Sequence, residues 1–289
     1  MNAWNRGFIA LACVCATLSG CTKKPDIKFA PHAESYASKT DFAEVEHAYP
    51  LTPKQRDALT PENLASFSQE ELDQIYARLT AGPVPDGEFS GTFFFADGGG
   101  VKRISEVLGG LKGVAVDIKL KKMERLGEAL WKGKVFYKDQ KILRNMIRDR
   151  DYLKLIIDGD PDTLPKTKIN GVDTWLLFPA KLYCGQSLLD ARRESVIIDY
   201  AFTDDIDGYR ERPDFLAGRR GLQVRDEIRM IRPGFYLGRA YMGRVFVLNF
   251  TLYNPGIADR DRNSFLQAGK SQEECWTGTQ QITTTASLK

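Results

Sequence analysis

A mainly β chain that curls an antiparallel sheet into a barrel is the fold the sequence predicts, and three observations predict it. Between Gly87 and Tyr253 most apolar residues fall into short runs rich in β-branched and aromatic side chains. The last three runs are separated by Pro233-Gly234 and Met242-Gly243, turns so short that only antiparallel neighbours can follow them. The runs point to a sheet of about eight or nine strands, and a sheet of that width usually closes on itself and so loses its exposed edges. Composition agrees with a globular protein: 289 residues, 43% hydrophobic, 41 basic against 38 acidic, net charge +3. So small a charge is too little to signal nucleic-acid binding, which usually needs a concentrated basic face. The two histidines, His32 and His47, both precede the predicted barrel, which argues against histidine-centred catalysis and most zinc sites.

The first element is an export signal. Arg6 precedes an apolar run from Phe8 to Leu18 that is shorter than the ~20 residues of a spanning helix. It closes on Leu18-Ser19-Gly20-Cys21, a quartet that resembles the lipobox of bacterial lipoproteins. The resemblance implies that residues 1–20 are a removed signal peptide, that Cys21 becomes the lipid-modified first residue, and that Thr22 directs the protein to the outer membrane, facing the periplasm. Acyl chains at ~0.8 kcal/mol per buried methylene would then hold the protein on the membrane. With Cys13 and Cys15 removed and Cys21 acylated, the exported chain keeps Cys184 and Cys275, which in an oxidising compartment suggest one disulfide, or else two separate buried thiols.

Residues 21–82 read as a tether followed by short helices. The stretch from Thr22 to about Lys54 is polar, and Thr52-Pro53 and Thr60-Pro61 each place a capping hydroxyl before a proline at the first helical position. Ser68 with Glu71 forms a capping box for a firmer helix that carries Leu72, Ile75, Tyr76 and Leu79 on one face, with Gly82 at its end.

Residues 83–289 read as the barrel with a C-terminal tail. The first strand runs from Gly87 to Ala96, and a helical stretch is expected from about Arg103 to Leu130. Strands follow at Lys134 to Tyr137, Lys141 to Ile147, Leu153 to Ile157, Val172 to Phe178, Leu182 to Cys184, Ser195 to Phe202, Asp226 to Arg232, Phe235 to Tyr241 and Val245 to Tyr253. In the last strand Phe246, Leu248, Phe250 and Leu252 share one face. One strand, a helical interruption and a run of antiparallel strands resembles the calycin-type barrels, among them lipocalins. Gly87-Glu88-Phe89-Ser90-Gly91 is similar to the Gly-x-Trp element of their first strand, with Phe89 where tryptophan stands. The resemblance implies helices near the mouth and an apolar ligand cavity. A core filled by its own side chains is the other way to pack such a barrel.

Motifs for harder chemistry are incomplete. Gly269-Lys270-Ser271 looks like the end of a P-loop, but Ser264 stands where its first glycine belongs, and no Gly-x-Ser-x-Gly elbow occurs. Asp204-Asp205-Ile206-Asp207-Gly208 is similar to a calcium loop, yet Thr203 replaces the first aspartate, so a solvated turn is expected. No metal and no cofactor is predicted. The expected function is to bind or carry an apolar or amphipathic small molecule, with Phe246, Leu248 and Phe250 on the wall and Arg239, Tyr241 or Tyr200 holding the head group; Arg229 is a second inward candidate. Two alternatives stand beside it: an enzyme in which Asp199 or Asp226 works with a tyrosine as general acid or base, and an assembly lipoprotein that binds a protein partner through its outer surface.

Overall fold

A computed structural model describes residues 24–32, 40–96, 131–169, 171–268 and 275. The quartet expected to act as a lipobox, with Cys21, and the helical stretch expected after the first strand lie outside the described residues.

The strands are β1 (Gly87–Phe94), β2 (Trp131–Tyr137), β3 (Ile142–Ile147), β4 (Lys166–Ile169), β5 (Val172–Gln186), β6 (Glu194–Asp199), β7 (Val224–Arg232), β8 (Phe235–Met242) and β9 (Val245–Tyr253). Eight of them form a closed antiparallel barrel in which each strand lies beside its neighbours in sequence; β3 pairs directly with β5, and β1 pairs with β9 to complete the ring. The short β4 lies outside this ring as an extra strand on the start of β5. This is the calycin-like architecture expected from the sequence. The meander of β7, β8 and β9 is in place, with Gly234 and Gly243 at positive φ in its two turns.

Two expected segments take another form, and the short β4 is not among the expected strands. Leu153 to Ile157, expected as a strand, belongs to a helix (Arg150–Ile156). Leu153 and Ile157, four apart as a helical face requires, pack with Leu164 and Trp175. The two strands expected at Val172 to Phe178 and Leu182 to Cys184 are one long β5, bent at Phe178, whose φ of +49° is a strained conformation for so bulky a residue. The buried Asp214 carboxylate holds the bend by accepting the Phe178 N–H at 2.7 Å.

Four helices precede the barrel: α1 (Phe42–Ala48), α2 (Pro53–Asp57), α3 (Pro61–Leu64) and α4 (Gln69–Ala77). The predicted capping box forms at Ser68 with Glu71, and the predicted capping hydroxyls of Thr52 and Thr60 likewise close boxes, with Gln55 and Asn63. These helices are more than a tether. Leu59, Leu64, Phe67, Leu72 and Ile75 pack against Ile231, Phe235 and Leu237, the outer face of the β7–β8 wall. The chain then passes beneath one end of the barrel, where Thr80 bridges to Met230 and Tyr236 donates to the Pro83 carbonyl at 2.8 Å. That end is plugged: the Phe89 ring lies edge-on to Phe136 at 5.6 Å and to Tyr236 at 5.8 Å, so phenylalanine fills the place of the expected tryptophan. After β9 the helix α5 of the base, Pro255–Ala268, which the sequence reading did not foresee, closes against α2, with Arg262 bound to Asp57. Cys184 of β5 and Cys275 are joined in a disulfide with Cα atoms 6.1 Å apart, within the usual range.

Candidate functional site

At the end opposite the plug the barrel holds an open cavity of about 390 Å³. This lies near the lower end of small-molecule sites, roughly 300–1,000 Å³. Its wall is apolar. Phe93, Trp131 and Phe250 form an aromatic side, with the Trp131 ring 5.8 Å from Phe250 and 6.5 Å from Phe93. Ile147, Phe178, Val224, Ala240 and Leu248 continue the wall, and the half-exposed Leu216 and Leu222 of the β6–β7 loop stand at the rim. Two glycines make room for the rings. A Cβ at Gly238 would fall 2.2 Å from Phe250, and one at Gly91 would fall 2.3 Å from Trp131.

The floor is polar. Lys134 on β2, Asn145 on β3, Tyr200 just after β6 and Asp226 on β7 point inward together, each buried. The Lys134 ammonium donates to Tyr200 at 2.7 Å and to Asn145 Oδ1 at 2.8 Å and pairs with Asp226 Oδ2 at 3.0 Å. Asn145 in turn donates to the Tyr200 hydroxyl at 2.9 Å and to the Phe178 carbonyl at 3.0 Å, and accepts the Trp131 indole N–H at 2.9 Å. Burial alone would lower the lysine, but the carboxylate of Asp226 and the Tyr200 oxygen hold it above its ordinary value. Burial, opposed by the nearby Lys134, raises Tyr200 above the ordinary phenol.

Of the residues the sequence singled out for ligand contact, Tyr200, Leu248 and Phe250 line this cavity. Arg239, Tyr241 and Phe246 do not. On β8 it is Tyr236 and Ala240 that join the barrel core, so Arg239 faces outward under α4, where it is paired with Asp73 and donates to the Tyr241 hydroxyl at 3.0 Å. A register shift, which places Tyr241 opposite Phe246 after Ala240 opposite Leu248, turns Phe246 out of the inner row; its ring packs on Tyr241 at 5.8 Å and under the Arg239 guanidinium at 4.1 Å. Arg229 is likewise outside the barrel, fully buried, donating to the Glu194, Tyr76, Asp190 and Arg193 carbonyls and to the Asp190 carboxylate. Asp199 accepts from the half-buried Tyr183 at 2.9 Å and from Ala201 N–H, away from the cavity, whereas Asp226 lines it.

The acidic loop is a turn stitched to neighbouring cations: Asp204 pairs with Arg219 at 2.7 Å and Asp205 with Lys181 at 2.9 Å. Among the described residues the one group with metal-ligand spacing is Cys184, Glu194 and Cys275, where the two sulfurs are bonded to each other. Lys134 and Asn145 were missed by the sequence reading. Their signal was parity alone: each stands two residues from an inward apolar residue, Phe136 and Leu143. A scan against models of known families, a search of curated proteins and a search of solved structures each return no match.

Proposed function

We propose that the protein is an envelope lipoprotein, held on the outer membrane through acylated Cys21, whose barrel binds or carries an apolar or amphipathic small molecule. The observation that carries the binding reading is the open cavity of about 390 Å³ with an aromatic and aliphatic wall and a polar floor. Such a site gains affinity by burying ligand surface and orients the ligand with a few polar groups. The enzyme reading has Asp226 and Tyr200 in its favour, with the hydroxyl 3.4 Å from the carboxylate. It is the weaker one, because Lys134, Asn145 and Tyr200 direct their protons to one another and to Asp226 rather than into the cavity.

Two measurements test the proposal. Affinity for a series of n-alkyl compounds with one head group should rise with chain length, by up to ~0.8 kcal/mol per methylene, and then level off when the cavity is full. Trp131, on the cavity wall, supplies a fluorescence signal. No dependence on chain length in the folded protein would remove the binding reading. Separately, Cys21→Ala should abolish acylation and move the protein from the membrane to the soluble fraction, and continued membrane retention would refute the anchor.

A further inference from the structure

The hydrogen bonds of the cavity floor can be counted group by group, and the count leaves one group over. Lys134 has three protons, directed to Asn145, Tyr200 and Asp226. Asn145 uses both amide protons, on Tyr200 and the Phe178 carbonyl, and its oxygen accepts from Lys134 and Trp131. Tyr200 accepts from Lys134 and Asn145 and turns its single proton toward Asp226 Oδ2. These three residues are saturated. Both contacts to Asp226 fall on Oδ2; no described residue donates to Oδ1, and this carboxylate, 5% exposed, lines the cavity. The floor therefore offers a ligand one acceptor and no donor, and its formal charges, one lysine and one aspartate, cancel.

We propose that the cavity selects an uncharged amphiphile whose head is a hydrogen-bond donor, a hydroxyl or an amide N–H that donates to Asp226 Oδ1 while the chain lies against Phe93, Trp131, Leu248 and Phe250. This rests on the binding reading above and narrows it. A carboxylate or phosphate head would set a second anion against Asp226, while the protons of Lys134 are already engaged. An ammonium head would leave two cations sharing one carboxylate. Either brings a charge into a low-dielectric site without a partner of its own. A hydroxyl fills the vacant acceptor position with no net charge.

The test holds the chain constant and changes the head. The wild-type protein is titrated calorimetrically with 1-decanol, methyl nonyl ether, decanoate and decylammonium at one pH and salt concentration. The expected result is that decanol binds at least tenfold more tightly than each of the others, the ether included, since it keeps the oxygen and lacks the proton. Decanoate or the ether binding as well as decanol would overturn the donor proposal and leave the binding reading standing. Binding of none of the four would overturn both. Asp226→Asn, checked for folding by circular dichroism, should cut the preference of decanol over the ether; an unchanged preference in a folded variant would also refute the assignment.

Discussion

Lys134 sits with its side chain 3% exposed and three hydrogen-bonding partners around its ammonium, and it illustrates what a single residue contributes to this site. Breaking such a buried pair from one side leaves an uncompensated charge, so the four floor residues stand or fall together. Their titration has a readable sign. Lys134 is raised above 10.5 and Tyr200 above 10.0 in the fold, so both hold their protons more tightly than in the unfolded chain. Their contribution is fully present below about pH 10 and is lost as pH climbs through the folded values. The urea midpoint should thus fall between pH 9 and 11, and the fall should be shallower in Lys134→Met; a midpoint that does not move over that range would contradict the assignment. Two of the four residues, Tyr200 and Asp226, were legible as cavity candidates. The other two were not, because a lysine or asparagine within a strand reads by default as facing solvent, and only the shared parity with Phe136 and Leu143 places them on the inner side.

The element that misled the sequence reading is the wall of β8 and β9. Both of its faces are apolar, the inner one at Tyr236, Leu248 and Phe250 and the outer one at Phe235 and Leu237, because α4 and its neighbours cover the outside. Alternation marks two faces but does not say which is interior when both are buried. Arg239 was assigned to the wrong one. Its role is to seat α4: it pairs with Asp73, and Tyr76 of the same helix reaches Ser195 at 3.0 Å. Asp73→Ala would strand the guanidinium under the helix and should cost about 3–5 kcal/mol of stability by denaturant titration. Affinity for an alkyl ligand, corrected to the folded fraction, should not change. Unchanged stability with lost affinity would instead return Arg239 to the ligand. The short helices were plainer, since Thr52, Thr60 and Ser68 announce their starts by local chemistry that tertiary packing does not alter.

For the whole molecule, strand number and antiparallel order followed from the turn signals and the length of chain available. That the barrel is hollow at one end followed from neither. Phe89, Phe136 and Tyr236 fill the base, while at the other end Gly91 and Gly238 let Trp131 and Phe250 lie over the neighbouring strands β1 and β8 and leave the middle open. A strand pattern encodes which residues face inward, but the space left over depends on how rings from different strands meet. A second concavity at the base, between residues 83–86 and α5, is a competing location for an apolar ligand among the described residues, with Ile257, Phe265 and Ala268 on its rim. The most direct test is therefore where a ligand sits: nuclear Overhauser contacts between the methylenes of a bound n-alkyl alcohol and isotope-labelled methyl groups of the protein. The mouth cavity predicts contacts to Val224, Ala240 and Leu248, whereas contacts confined to Ile257 and Ala268, or to the outer-face Leu237, would contradict a ligand site inside the barrel.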